Sequence, residues 1–292
     1  MKRTLLPVIT LLLLAFSCKT PEKKEMTAEP DEVDFVTALG IPPCEITTPP
    51  DSLNLDPWYV KYVDVNGIPL CSSWRCPDSA LVAGYNTLYA MTSMLSPEIM
   101  DAMRKAGTRV TMMGRYEGTT DVPEHRYLAN DTSLNWDLRA RGLGGDLELP
   151  LTSCAEENVL AYQIDKYHAE DILIHEFAHS IHLIGIVQVE PDINDRLQAL
   201  LDDAIEKNLW WNTYRTTDVA EYFAEGVQDW FNVNAEMDHP DGKHNYVNTR
   251  EELKERDPGL YELLALYFPA TEQQISKHKF INEWTKENSR TH

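Results

Sequence analysis

Ile172-Leu173-Ile174-His175-Glu176-Phe177-Ala178-His179-Ser180-Ile181-His182 is the stretch on which the reading of this chain turns. It sets a His-Glu-x-x-His pattern inside a run that is apolar almost all round. A helix without a polar face belongs in a protein interior. At about 3.6 residues per turn, His175 and His179 stand one turn apart on one face, so both imidazoles can reach a single tetrahedral metal ion. Such an ion has room for a third protein donor and a water. Glu176 lies beside the pair, where it can take a proton from that water. Short motifs also arise by chance, and the alternative is a core helix whose His and Glu only hydrogen-bond there. Burying two His and a Glu without strong partners is costly, which favours the metal.

The third donor decides the class. A continuation His-x-x-Gly-x-x-His would supply it from the same segment, but His182 occupies the Gly position and Gly185 the His position, which excludes that class. A helix expected over about 218–233 offers Glu221 and Glu225 instead, spaced i, i+4 on one face, with Tyr222, Phe223, Val227 and Trp230 on its buried side. Glu221 can be the third ligand. Glu225, one turn on, can accept the N–H of a ligating His and hold its tautomer. The alternative is two Glu on a solvated face. His182 lies about 20° from His175 around the helix but two turns along it, which suits a core or supporting role rather than ligation. His125, His168, His239 and His244 share no such spacing and read as surface or loop residues.

The sequence His175-Glu176-Phe177-Ala178-His179, followed by Ala220-Glu221-Tyr222-Phe223-Ala224-Glu225, resembles the gluzincin zinc peptidases and in particular the catalytic domain of anthrax lethal factor. The resemblance covers about 170–232. It implies a zincin-like fold, Zn2+ as cofactor, endopeptidase activity on a peptide or protein, His175, His179 and Glu221 as ligands, and Glu225 behind them. The family also carries a catalytic Tyr seven residues before the ligating Glu, followed by Arg-Thr; Tyr214, Arg215 and Thr216 occupy those positions here. In this fold type the peptide lies extended along an edge strand above the motif helix, and 158–164 is the expected strand. Nothing before residue 165 carries over, so substrate recognition is not inherited. Two other readings stand beside the peptidase. One is a zinc-bearing binding lipoprotein that cleaves nothing, which would need neither Glu176 nor Tyr214. The other is a zinc hydrolase of a non-peptide bond.

The 292 residues carry a formal charge of −21, which argues against nucleic acid as a partner. Lys2-Arg3, the apolar run Leu5 to Phe16 and the small residues before Cys18 read as an export signal over 1–18. Ordinary signal cleavage would release a secreted protein. A lipobox-like cleavage would lipidate Cys18 and anchor the protein to a membrane of the bacterial cell envelope, with 19–41 as a polar tether. Five Cys leave one over, and lipidation of Cys18 accounts for it. The remaining four allow two disulfides in any of three pairings, of which Cys71–Cys76 with Cys44–Cys154 is the favoured one.

Residues 42–292 read as one α+β metallopeptidase domain, mixed in its N-terminal half and mainly helical in its C-terminal half. Asn66-Gly67 between alternating residues signals a hairpin. Helices are expected over 77–95, 97–106, from 170 to near Gly185, over 192–209, and from Thr249 and Pro258 onward. A strand is expected over 108–113, and 115–155 reads as turn-rich.

Overall fold

The computed structural model describes residues 41–167, 169–271 and 275–278. The expected export signal 1–18, Cys18, all but the last residue of the tether 19–41, and His168 lie outside them.

Five strands form one sheet in the order β1-β2-β3-β5-β4, namely β1 (Lys61–Val65), β2 (Ile68–Ser72), β3 (Arg109–Met113), β4 (Gly142–Leu143) and β5 (Leu151–Ala155). β1 and β2 are the expected hairpin. Asn66 and Gly67 have φ of 53° and 84°, the left-handed pair that a two-residue type I′ turn demands. β2, β3 and β5 run parallel, and parallel neighbours need crossovers. The first crossover is α1 (Asp78–Thr92) with α2 (Pro97–Ala106), the two helices expected there. The second runs through an irregular stretch that holds the short α3 (Trp136–Arg139) and β4. β4 pairs antiparallel with β5 alone and is an edge of the sheet.

Two expectations fail in this half. Leu151-Thr152-Ser153-Cys154-Ala155 is not a turn but β5, and all five residues are buried. A strand covered on both faces shows no alternation to read. The stretch 158–164 is not a strand. It is the end of α4 (Glu156–Val159) followed by a turn in which Ala161 has φ of 52°. Asn158 explains the break: its Oδ1 accepts the Ile172 N–H at 2.8 Å, and its Nδ2 donates to the Glu170 carbonyl at 2.9 Å. A side chain that engages nearby backbone in this way competes with the ladder of a strand.

The rest of the fold is helical, with α5 (Ile172–Ser180), α6 (Val187–Val189), α7 (Ile193–Glu206), α8 (Val219–Trp230), α9 (Arg250–Arg256) and α10 (Pro258–Leu264). α5 does not stop near Gly185 but runs through a π-helical turn, Ile181–Ile186, into α6. The composite helix Ile172–Val189 is apolar enough over 18 residues to cross a membrane, yet 72% of it is buried inside the protein. It is a core helix. One side of α5 packs on β5 and α1, and another packs on α8. That packing between the sheet and the helical half accounts for its lack of a polar face.

The four described cysteines are free thiols, so Cys71–Cys76 and Cys44–Cys154 do not pair. Leu70 and Cys71 are successive strand residues and point to opposite faces of the sheet. Leu70 and Cys76 share the main core, whereas Cys71 faces Arg109 and Glu124 on the other side. Cys44 sits half-buried at the margin of the core, and Cys154 lies deep on β5. Without disulfides, the odd cysteine count no longer singles out Cys18.

Candidate metal centre

The motif helix is anchored at its start. Asp171 caps α5 by accepting the Ile174 N–H at 2.9 Å, and Ser276 Oγ donates to its other oxygen at 2.5 Å. Along α5, Ser180 Oγ meets Thr152 Oγ1 of β5 at 2.7 Å. Asp218 caps α8 by accepting the N–H groups of Ala220 and Glu221 at 2.8 and 3.0 Å, which sets Glu221 in the first turn.

These two helices bring three donor atoms together. His175 Nε2 and His179 Nε2 are 3.2 Å apart. Glu221 Oε2 lies 3.1 Å from the first and 3.6 Å from the second. A tetrahedral ion with N and O donors at about 2.0–2.1 Å spaces those donors about 3.3–3.4 Å apart, so the triangle has the dimensions of one face of such a site. Glu221 Oε2 is buried and has no hydrogen-bond partner among the described residues, as an oxygen reserved for a cation would be. His175 Nδ1 lies 2.9 Å from Gln228 Oε1. Gln228 Nε2 donates to the Asp171 carbonyl at 3.1 Å, which identifies Oε1 as the acceptor end. A proton of His175 is thereby held on Nδ1, which leaves Nε2 as the ring nitrogen turned toward Glu221 and His179.

The electrostatics call for positive charge at the same point. Burial disfavours a charged His175, but contact with Glu221 and the charges of Glu176 and Glu225 outweigh it and lift the imidazole to about 10. Burial acts to raise Glu221, and the two imidazoles more than offset it, holding the carboxyl well below the usual range. Glu176 is raised, by burial first, with the charges of Glu221 and Glu170 adding and the two imidazoles opposing. A half-buried carboxylate with a raised pKa is a competent proton acceptor.

The edge strand β4 lies directly on the motif helix. A Cβ on Gly142 would sit 2.5 Å from Ile172 Cγ2 and 3.2 Å from Glu176 Cγ, and one on Gly144 would sit 2.8 Å from His179 Cβ. Only glycine permits this approach. β4, rather than 158–164, borders a groove of about 350 Å3 whose walls include Gly142, Leu143, Glu176, Tyr214 and the three convergent donors.

Tyr214 opens a 3-10 turn, Tyr214–Thr216, and its hydroxyl donates to Glu221 Oε1 at 3.1 Å. The next residue pins that turn. Arg215 is buried, donates to Asp229 Oδ2 at 2.7 Å and lies 3.8 Å over the Trp210 ring. Glu225 does not meet His175 Nδ1; its Oε2 accepts from Asn234 Nδ2 at 3.0 Å and lies 3.7 Å from Arg215 Nη2. Gln228 makes the contact with His175 instead. It stands seven residues after Glu221, two turns along the same face, so helical spacing could have found it. His182 is buried with Nε2 2.8 Å from Asn194 Oδ1, a core histidine as expected. His239 is exposed, as expected, but His125 is buried. His244 is no free loop residue either, since it borders the groove with Nε2 3.3 Å from Glu170 Oε2.

No protein-family model matches this chain, and no curated protein matches it. Among solved structures it is similar to the Pro-Pro endopeptidase of Paenibacillus alvei, with a TM-score of 0.45 and 20% identity, over 68% of this chain and 96% of that one.

Proposed function

We propose that this chain is a zinc-dependent endopeptidase of the gluzincin type, with a zincin-like fold, in which His175, His179 and Glu221 hold the ion. The observation that carries the reading is the convergence of their three donor atoms within 3.6 Å in a groove that also holds Glu176 and the Tyr214 hydroxyl. A zinc ion held there supplies Lewis acidity, lowering the pKa of water toward about 7 and polarising a carbonyl. Glu176 takes the proton of the attacking water and passes it to the leaving amine. The Tyr214 hydroxyl donates to the oxygen on which negative charge develops. Gln228 keeps the His175 tautomer, and Arg215, held by Glu225 and Asp229, keeps the turn that carries Tyr214. The unpaired side of β4 offers backbone groups to an extended peptide.

Export and a lipid on Cys18 belong to the same proposal, with the domain tethered in the cell envelope through 19–41. Mass spectrometry of the mature N-terminus tests that part, and an unacylated Cys18 in soluble protein refutes it.

The enzymatic part is tested by elemental analysis together with cleavage of a peptide library. About one zinc per chain is expected, lost in His175→Ala and Glu221→Ala. Glu176→Gln keeps zinc and loses about 10²–10⁴-fold in turnover. Full zinc retention in Glu221→Ala removes Glu221 from the ligand set. Wild-type turnover in Glu176→Gln overturns the mechanism.

A further inference from the structure

Beside the groove lies a second cavity of about 650 Å3, and the two share Arg139, Tyr167, Glu170, Lys243 and His244 as walls. The cavity is continuous with the catalytic groove, and its charge runs against that of the chain. The protein carries −21 overall, yet Arg139, Lys166 and Lys243 gather here. Burial first, and then the charges of Arg139, Arg141 and Lys243, lower the pKa of Lys166.

The anions of the cavity are already engaged. Glu170 Oε2 lies 3.3 Å from His244 Nε2, and Asp241 Oδ1 accepts the N–H groups of Lys243 and His244 at 2.9 and 2.8 Å. The cations are held in place by backbone. Lys166 Nζ donates to the carbonyls of Leu138 and Arg139 at 2.8 and 3.0 Å, which fixes the end of α3. The Lys243 carbonyl accepts the Tyr214 N–H at 2.8 Å, which ties this cation to the catalytic turn. Arg139 and Lys243 are exposed residues, and neither forms an ion pair among the described residues.

Resting on the peptidase reading, we propose that this cavity is a specificity subsite for a carboxylate of the peptide substrate, so that cleavage occurs beside an acidic group. A carboxylate between Arg139 and Lys243 gains charge-assisted hydrogen bonds that the corresponding amide does not. The acidic bulk of the protein repels such a peptide at long range, and screening confines that repulsion to about a Debye length, so the local cations decide the fit. The carboxylate comes from an Asp or Glu side chain or from the C-terminus of a short peptide.

The test has a kinetic arm, on whichever library peptide the zinc-loaded protein cleaves, and a binding arm that needs no cleavage. Versions are made with Glu, Gln or Lys at each position flanking the scissile bond, each with a free or amidated C-terminus. Glu is expected to exceed Gln in kcat/KM by about 10-fold at one flanking position, with Lys poorer still. That ratio falls to about 2-fold or less in Arg139→Gln/Lys243→Gln, whose side chains are exposed and whose fold is checked by melting temperature. If amidation of the C-terminus, rather than Glu to Gln, causes the loss, the terminal carboxylate is the occupant, and the double variant again abolishes the difference. Equal cleavage of acid and amide forms by the wild type overturns the subsite, as does a preference that survives in the double variant. Fluorescence anisotropy of labelled Glu-, Gln- and Lys-containing decapeptides on zinc-loaded Glu176→Gln reads the same discrimination without turnover. Selective binding of the Glu peptide, lost in the double variant, with no cleavage by wild type, leaves the subsite standing and removes the peptidase. Absence of both selectivity and cleavage removes both.

Discussion

Nδ1 of His175 lies 2.9 Å from Oε1 of Gln228, and the same amide donates through Nε2 to the carbonyl of Asp171, the cap of the motif helix. One side chain of α8 thus fixes both a tautomer and the root of the helix that carries it. Gln228→Leu keeps the bulk and deletes the acceptor, so zinc affinity should fall about 10–100-fold in competition with a chelator. Gln228→Glu should recover most of it. Glu225→Gln should change affinity much less, because Glu225 engages Asn234 and Arg215 rather than His175.

Tyr214→Phe should separate chemistry from assembly. Tyr214 is 40% exposed and, among the described residues, its hydroxyl meets only Glu221, at 3.1 Å, so fold and zinc content should be kept. Loss of an oxyanion donor costs about 10²–10³-fold in kcat. Undiminished kcat would reduce Tyr214 to a wall of the groove.

Gly144→Ala should damage the centre from above. Its Cβ would sit 2.8 Å from His179 Cβ and 2.9 Å from Cδ2. Either the chain that follows β4 lifts or His179 turns, at a cost of about 1–3 kcal/mol. Denaturant melts and zinc titration together should show lower stability and weaker metal binding. A variant with wild-type values in both would mean that the segment after β4 moves freely.

Acid should weaken the fold through His182. Burial, only partly offset by the bond to Asn194, pushes this imidazole down from 6.5 to about 4. Between those values the unfolded chain binds the proton and the folded protein does not. The contribution is therefore complete above pH 6.5 and is lost as pH falls toward 4, by about 3 kcal/mol. Urea melts of wild type and His182→Gln from pH 7.5 to 4 measure it. The wild type should lose more stability than the variant over this range, and parallel curves would exclude His182 as the source.

Reductant should leave the melting temperature unchanged, since Cys44, Cys71, Cys76 and Cys154 are free. Burial pushes the Cys71 thiol up to about 12, so it should react with a thiol reagent at neutral pH only after denaturation. A melting temperature that drops on reduction would reinstate a disulfide.

What the sequence made legible is what burial writes into it. The motif helix announces itself because it is packed on several sides, and the helix with Glu221 because its apolar stripe repeats at helical spacing. The hairpin follows from Asn66-Gly67, whose backbone has few alternatives. β5 is hard to read because Thr152 and Ser153 are residues typical of loops, yet the whole strand is buried and the Thr152 hydroxyl meets Ser180 Oγ at 2.7 Å. Asn158 and Gln228 were opaque for a related reason, since an amide that braces a helix has the same spelling as one that faces water. The cysteine pairs failed on a parity that only the register reveals: Cys71 belongs to the face of β2 opposite Leu70. Glu225 stands on α8 about one turn before Gln228, the residue that meets His175.

The centre draws on chain segments that are far apart, with Gly142 and Gly144 above, His175 to His179 below, and Tyr214 to Gln228 at the side. A ribosome-bound chain that ends before Glu221 owns only two of the three donors, and even a complete chain lacks the third until α8 docks on α5. On the proposed reading, loading of the ion would be a late event in maturation and would report that the two halves have met. A misassembled chain would then stay without metal, and the proposed hydrolysis would be confined to molecules whose folding is complete.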